Sequence, residues 1–176
     1  MGLVAFPALE PYDRLRRMKL TTQVKLLPTP EQAQLLQQTL EAANAACKAI
    51  SEVAWTTKEF NQYKLHQALY LAIRQDFGLS AQLAVRCLGK VAASYKTDQQ
   101  RRHRFQPAGA IPYDSRILAY RQPSGTVSIW TRAGRQEMAY VCGERQQELL
   151  KHQKGESDLW LHNGEFYLLA SCEVAE

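Results

Sequence analysis

The apolar residues between residues 29 and 102 recur at the spacing of amphipathic helices. Two segments of this stretch, 61–78 and 80–102, keep apolar residues three or four positions apart and place polar residues between them. A third segment, 28–55, precedes these two and shows the pattern most clearly. Its apolar stripe consists of Leu36, Leu40, Ala43, Cys47, Ile50 and Ala54. The pattern predicts three successive helices that pack as a small bundle.

Residues typical of helix ends support these boundaries. Thr29 stands where an N-cap is expected, Pro30 takes the first helical position, and Gln32 completes a capping box. Ser80 is predicted to cap the third helix, and Gly78 is predicted to end the second. The first helix is therefore predicted to begin at Pro30.

The rest of the chain has the short alternating runs of β-strands. Residues 21–27 form one such run, and a loop at 101–114 precedes three more at 115–121, 126–131 and 136–142. After one or two helical turns, a hairpin follows around Asn163-Gly164. A lone first strand is unstable, so it should pair with the later strands. The predicted fold class is α+β, a β-barrel interrupted by an inserted three-helix bundle.

The composition is that of an ordinary globular protein, with 45% hydrophobic and 22% charged residues in 176. No apolar run is long enough to cross a membrane, and the N-terminus lacks the basic region of a signal peptide, so we expect a cytoplasmic protein. The four cysteines lie far apart, without a C-x2-C pair. They predict reduced, buried thiols and no metal site.

The positive charge is concentrated in one part of the chain. Residues 96–135 hold eight Lys or Arg against two Asp, whereas the whole chain has a net charge of +5. Seven of the eight are arginine, whose planar guanidinium suits phosphate. This distribution indicates a polyanionic partner, and the alternative is a solvated basic face.

Catalytic motifs are not evident. The sequence has no phosphate-binding loop, dinucleotide fingerprint, H-E-x-x-H pair or G-x-S-x-G elbow, and its acidic residues near the last hairpin fit a solvated face. We therefore predict no catalytic residue, no metal ligand and no cofactor in this chain. Arginines interleave with Phe105, Tyr113 and Tyr120, a combination suited to phosphates and unpaired bases, although the aromatic rings could instead fill the core.

Three stretches in order resemble the N-terminal half of the TnpB (OrfB) proteins, the accessory transposases of bacterial and archaeal insertion sequences. They are "KLLPTPEQAQLLQQTLEAANAACKAISEVAW", "AIPYDSRILAYRQPSGTVSIWTRAGR" and "CGERQQELLKHQKGESDLWLHNGEFYLLASCEV". The resemblance covers Met18 to Glu176. It implies a wedge-like β-barrel domain at 18–28 and 109–176, an inserted helical recognition domain at 29–108, and an N-terminal extension at 1–17 that is foreign to the family.

The resemblance also implies an activity and its partners. Full-length relatives are expected to be RNA-guided DNA endonucleases that bind guide RNA and target DNA, with magnesium and structural zinc in an RNase H-like domain and a zinc ribbon. The predicted nucleic-acid-binding residues are Lys25, Arg101, Arg102, Arg104, Tyr113, Arg116, Arg121, Arg132 and Arg135. Tyr113 is predicted to stack on a base, and Lys25 and the arginines at 101, 102, 104, 116 and 121 are predicted to contact phosphates.

The sequence stops at Glu176, before any stretch that resembles the nuclease domain. The expectation is a truncated, non-enzymatic recognition portion, and the first seventeen residues are read as an overcalled start. One alternative is an inert or protein-binding remnant that self-associates or pairs with a missing nuclease half. Another is a free-standing nuclease that uses unrecognised carboxylates.

Overall fold

The computed structural model describes residues 17–175. Within them the chain forms seven strands and four helices, in the order β1 (Arg17–Leu27), α1 (Pro30–Thr57), α2 (Gln62–Phe77), α3 (Ala81–Thr97), β2 (Ile111–Tyr113), β3 (Leu118–Arg121), β4 (Thr126–Thr131), β5 (Gly134–Val141), α4 (Glu144–Leu150), β6 (Gln153–His162) and β7 (Glu165–Ala175).

The strands form a single antiparallel sheet in the order β2-β6-β7-β1-β5-β4-β3. The first strand lies in the middle, between β7 and β5, so α1 to α3 are inserted between strands of one sheet. Side chains bridge the two edge regions, because Tyr113 Oη donates to Trp130 O at 3.0 Å and Tyr120 Oη lies 2.9 Å from Ser157 Oγ. The nearly closed barrel with inserted helices confirms the predicted α+β fold.

The first helix begins as the sequence predicts. Thr29 Oγ1 accepts from the Gln32 backbone N–H at 3.2 Å, and the Gln32 side chain accepts from the Thr29 backbone N–H at 3.1 Å. This reciprocal capping box satisfies two donors that the helix start leaves free. The six residues of the predicted apolar stripe are all buried. The helix therefore packs through that stripe, mainly against α3 and α2.

The second helix ends at Gly78, which has a φ of +62° and whose N–H donates to Arg74 O. Replacing Gly78 by alanine is expected to lower the free energy of unfolding by about 1–2 kcal/mol, since a Cβ disfavours this left-handed conformation. The Arg132 guanidinium would also have to move, because it lies 3.0 Å from the added Cβ. Urea denaturation measures the loss. Gly78→Asn is the control and should lose less, since asparagine tolerates this conformation.

Several strand boundaries differ from the sequence prediction, and one strand was not predicted. The first strand begins at Arg17 and not at residue 21, and the run predicted at 115–121 is a turn up to Ile117, with β3 beginning at Leu118. A further strand, β2, lies inside the predicted loop 101–114. It has three residues and a central proline, which removes a ladder N–H, so its period-two pattern is too short to recognise.

The Asn163-Gly164 hairpin is confirmed, with positive φ at both residues as a two-residue primed turn requires. The predicted N-terminal extension at 1–17 lies, apart from Arg17, outside the described residues. None of the helices described between residues 17 and 175 is long and apolar enough to cross a membrane.

Candidate nucleic-acid interface

A basic loop after α3 is fixed to the helices by buried hydrogen bonds. Tyr95 is fully buried and stacks on Phe60 with ring centroids 4.6 Å apart. Its hydroxyl lies 2.8 Å from Ser51 Oγ and accepts from the His103 N–H at 3.2 Å. Ser51 Oγ in turn donates to His103 O at 2.7 Å. The backbone of His103 is therefore held at both its donor and its acceptor.

A second anchor holds the end of the same loop. Asn44 of α1 is 1% exposed, and its Nδ2 donates to Leu40 O at 3.0 Å, Pro107 O at 3.1 Å and Gly109 O at 2.8 Å. A Cβ on Gly109 would lie 3.1 Å from Asn44 Oδ1, so glycine lets the loop approach the helix closely. Asn44 thus ties the loop to the middle of α1.

Between these two anchors the loop and α1 enclose an open cleft of about 560 Å³. The loop contributes Arg102 and Arg104, both exposed, and α1 contributes Lys48, also exposed. Glu41 and Glu52 line the helix side of the cleft. We call this arrangement the basic cleft. It brings three cationic side chains to the lining of one cavity.

Replacing Tyr95 by phenylalanine is expected to lower the free energy of unfolding by roughly 1–3 kcal/mol, because the buried His103 N–H and Ser51 Oγ both lose a partner. Thermal or urea unfolding measures the change. Tyr63→Phe is the matched control, since its hydroxyl is exposed and only accepts from Gln67. Equal stability of the Tyr95→Phe variant and the native chain would show that the loop is not anchored there.

Three of the predicted phosphate contacts are engaged in ion pairs. Arg101 Nε lies 3.0 Å from Asp98 Oδ2, and Arg121 Nη1 lies 3.6 Å from Glu137 Oε2. Lys25 Nζ donates to Glu165 Oε1 at 2.6 Å, a bond that raises the pKa of Lys25 and lowers that of Glu165. Exposed pairs of this kind are weak, so these cations can still exchange a carboxylate for a phosphate.

Three other predicted arginines form a separate group at the β3–β5 end of the barrel. Arg135 donates to Ser128 Oγ at 2.9 Å and to Arg116 O at 2.6 Å. Arg116 Nη1 donates to Gln82 Oε1 at 3.2 Å, and the Arg132 guanidinium lies against Gly78. Within residues 17–175 no hydrogen bond or ion pair joins this group to the basic cleft. The structure therefore places Arg102 and Arg104 in the basic cleft and Arg116, Arg132 and Arg135 outside its lining.

The predicted stacking role of Tyr113 is wrong. Its side chain is 1% exposed, its hydroxyl donates to Trp130 O, and burial raises its pKa well above the ordinary value. Phe105 and Tyr120 are also packed against the core. On β3, alternation turns the Tyr120 ring towards the core and leaves its neighbour Arg121 exposed.

Sequence reasoning missed two lysines near the loop. Lys48 lies on the exposed face of α1, one turn after Asn44, and its place beside the loop could not be read without knowing where the loop folds. Lys90 donates to Ala110 O and lies 5.5 Å from the centre of the Phe105 ring. Lys90 therefore stabilises the loop and is less available to a ligand than Lys48.

The described residues offer no cluster for a metal ion. Within residues 17–175 no group of three or more His, Cys, Asp or Glu side chains is arranged to hold one, and the four cysteines are free thiols. The magnesium and zinc that the family resemblance implies belong, as a prediction, to the nuclease half of full-length relatives.

Comparison with known proteins gives one family match. Residues 18–46 match the family model of the OrfB IS605 helix-turn-helix domain. This match supports an N-terminal region of an OrfB/IS605 transposase and a transposase-related DNA-binding function. In the structure the matched residues are β1 and the first part of α1, so they contain one strand and one helix, with Asn44 near their end. No curated protein matches the chain.

Proposed function

We propose that this chain is the nucleic-acid-recognition portion of an RNA-guided DNA endonuclease of the OrfB type, and that its basic cleft holds the backbone of guide RNA. The observation that carries the proposal is the convergence of Lys48, Arg102 and Arg104 on one cleft. Guanidinium groups bind phosphate oxygens in pairs, and lysine adds a point charge. Strand cleavage is not assigned to any residue of this chain.

The two carboxylates of the cleft favour RNA over DNA. Glu41 and Glu52 line the α1 side and would repel phosphates, which places the backbone on the loop side with Arg102 and Arg104. A sugar would then face the carboxylates. A ribose 2′-hydroxyl can donate a hydrogen bond to them, and deoxyribose cannot. The arrangement therefore gives both electrostatic affinity and a means of recognising ribose.

Fluorescence anisotropy with the full 176-residue chain tests the proposal. The probe is the structured RNA from the 3′ end of the insertion-sequence element that encodes the chain. The controls are the same sequence as single-stranded DNA and an unrelated RNA hairpin of equal length. Tighter binding of the element RNA than of both controls supports the proposal. Equal and weak binding of all three would contradict it.

A protein-binding role is the second candidate, and the exposed face of α2 favours it. Tyr63 is 69% exposed and Leu71 is 67% exposed, and both lie on the same side of this helix. Apolar side chains at this exposure are suited to a protein partner or a second copy of the chain. Sedimentation velocity over a range of concentrations distinguishes the two roles. Dimerisation that Tyr63→Ser with Leu71→Ser abolishes, without RNA binding, would favour the second candidate.

A further inference from the structure

Three aromatic side chains lie against one another on the outer face of β6 and β7. The rings of Trp160 and His162 stack with centroids 4.5 Å apart and planes 20° apart. Tyr167 is the cross-strand neighbour of Trp160, with ring centroids 5.6 Å apart. We call Trp160, His162 and Tyr167 the ring cluster.

The ring cluster is not part of the hydrophobic core. Trp55 and Trp130 pack against the core, whereas Trp160 and Tyr167 do not. The buried residues of the same strands, such as Leu159 and Leu168, alternate with the cluster and point to the opposite face. His162 is exposed, and Trp160 and Tyr167 are half-buried. Packing of the barrel interior therefore does not account for three aromatic side chains here.

A cation lies beside the rings. Lys25 of β1 is the cross-strand neighbour of Tyr167, so Trp160, Tyr167 and Lys25 form one row across three strands. Glu165 accepts from both Lys25 Nζ, at 2.6 Å, and Tyr167 Oη, at 2.9 Å. This carboxylate holds the tyrosine ring in place, and the ammonium group keeps two further N–H donors.

We propose that the ring cluster stacks on an unpaired base of single-stranded nucleic acid, with Lys25 beside the adjoining phosphate. Aromatic platforms next to a cation are how proteins bind single strands with little sequence preference, because every base has a π face. The rim of the cluster is charged, with Lys25 and Glu165, and a base has polar edges that suit such a rim. The inference rests on the proposed nucleic-acid binding, but its residues lie on strands that do not line the basic cleft.

Substitution of Trp160 in the full chain tests the proposal, with a labelled, unstructured oligouridylate as the probe. Trp160→Ala is expected to weaken binding roughly tenfold while leaving the dependence of affinity on salt unchanged, because stacking releases no counterions. Trp160→Phe should restore most of the affinity. His152→Ala, which removes an exposed ring just after α4, is the control and should change nothing.

The outcomes separate this inference from the proposed function. Suppose that the native chain binds the oligonucleotide and that alanine substitutions in the basic cleft weaken this binding, but Trp160→Ala does not. The stacking role of the ring cluster is then overturned, and the proposed function stands. If the native chain does not bind the oligouridylate at low salt, the inference fails, and binding of the element RNA decides the proposed function separately. Dimerisation that depends on Trp160, with unchanged oligonucleotide affinity, would assign the cluster to a protein partner and overturn the inference.

A crosslinking experiment on the native chain avoids any effect of substitution on folding. The probe is the same oligonucleotide with 5-iodouracil in place of uracil, irradiated in the complex and followed by trypsin digestion. No Lys or Arg follows Lys154, so one tryptic peptide, 155–176, holds the whole ring cluster. Crosslinks in this peptide are expected. Crosslinks confined to other peptides would overturn the inference.

Discussion

Replacing Lys48, Arg102 and Arg104 together by alanine is expected to weaken RNA binding by on the order of 100-fold at about 0.1 M salt. The three side chains line one cleft, and each would neutralise a phosphate and release the counterions condensed on it. All three are exposed, so their removal should leave the fold and the free energy of unfolding nearly unchanged. Fluorescence anisotropy with the element RNA measures the loss.

The matched control removes the same charge elsewhere. Arg145, Lys151 and Lys154 are exposed on and after α4, and two of them form only surface ion pairs, with Glu148 and Glu173. Their joint replacement by alanine lowers the net charge equally, so it should reduce affinity only by the general electrostatic effect. An equal loss in the two triple variants would mean that net charge, and not the basic cleft, determines RNA binding.

Replacing Asn44 by aspartate should be the most destabilising single change near the cleft, at roughly 3–5 kcal/mol at neutral pH. The carboxylate would be buried against the carbonyl oxygens of Leu40, Pro107 and Gly109, which now receive the amide N–H groups. Because burial would raise the pKa of this aspartate, the loss should be full above that pKa and should shrink as the pH falls. Denaturation at several pH values measures it.

Asn61→Asp is the matched control for this substitution. Asn61 is the exposed N-cap of α2, where its side-chain oxygen accepts from the Lys64 N–H at 3.1 Å. Aspartate is an equally good cap, so stability should be unchanged or slightly higher at neutral pH. A similar small effect at Asn44 would show that the loop is not tied to α1 through its amide, and the basic cleft would then lack a fixed wall.

The sequence predicted the helices well because their determinants are local. The helix ends depend on residues that act within one helical turn, namely Thr29, Gln32, Gly78 and Ser80. In each segment the spacing of apolar residues and the capping residues predict the same helix. The strands were harder to predict than the helices. The barrel strands β2 and β3 have three and four residues, and the side chains that bridge their edges pair with residues distant in sequence.

The candidate site could be predicted only in part. Charge alone selected Arg102 and Arg104, since the arginines are concentrated between α3 and β5. It could not separate them from Arg135, whose guanidinium donates to Ser128 Oγ and Arg116 O, away from the cleft. Nor could it include Lys48, which lines the cleft only because the loop folds back onto α1. The aromatic prediction failed at Tyr113 because whether a strand residue faces the core depends on register, and β2 was not recognised as a strand.

The salt dependence of RNA affinity tests the central claim most directly. Affinity is measured for the native chain and for the triple variant of the basic cleft over the same range of salt concentration. Three phosphate contacts should make the slope of log K against log salt steeper in the native chain by about 2. Parallel lines for the two proteins, whatever their absolute affinities, would contradict the assignment of the basic cleft as the site that holds the RNA backbone.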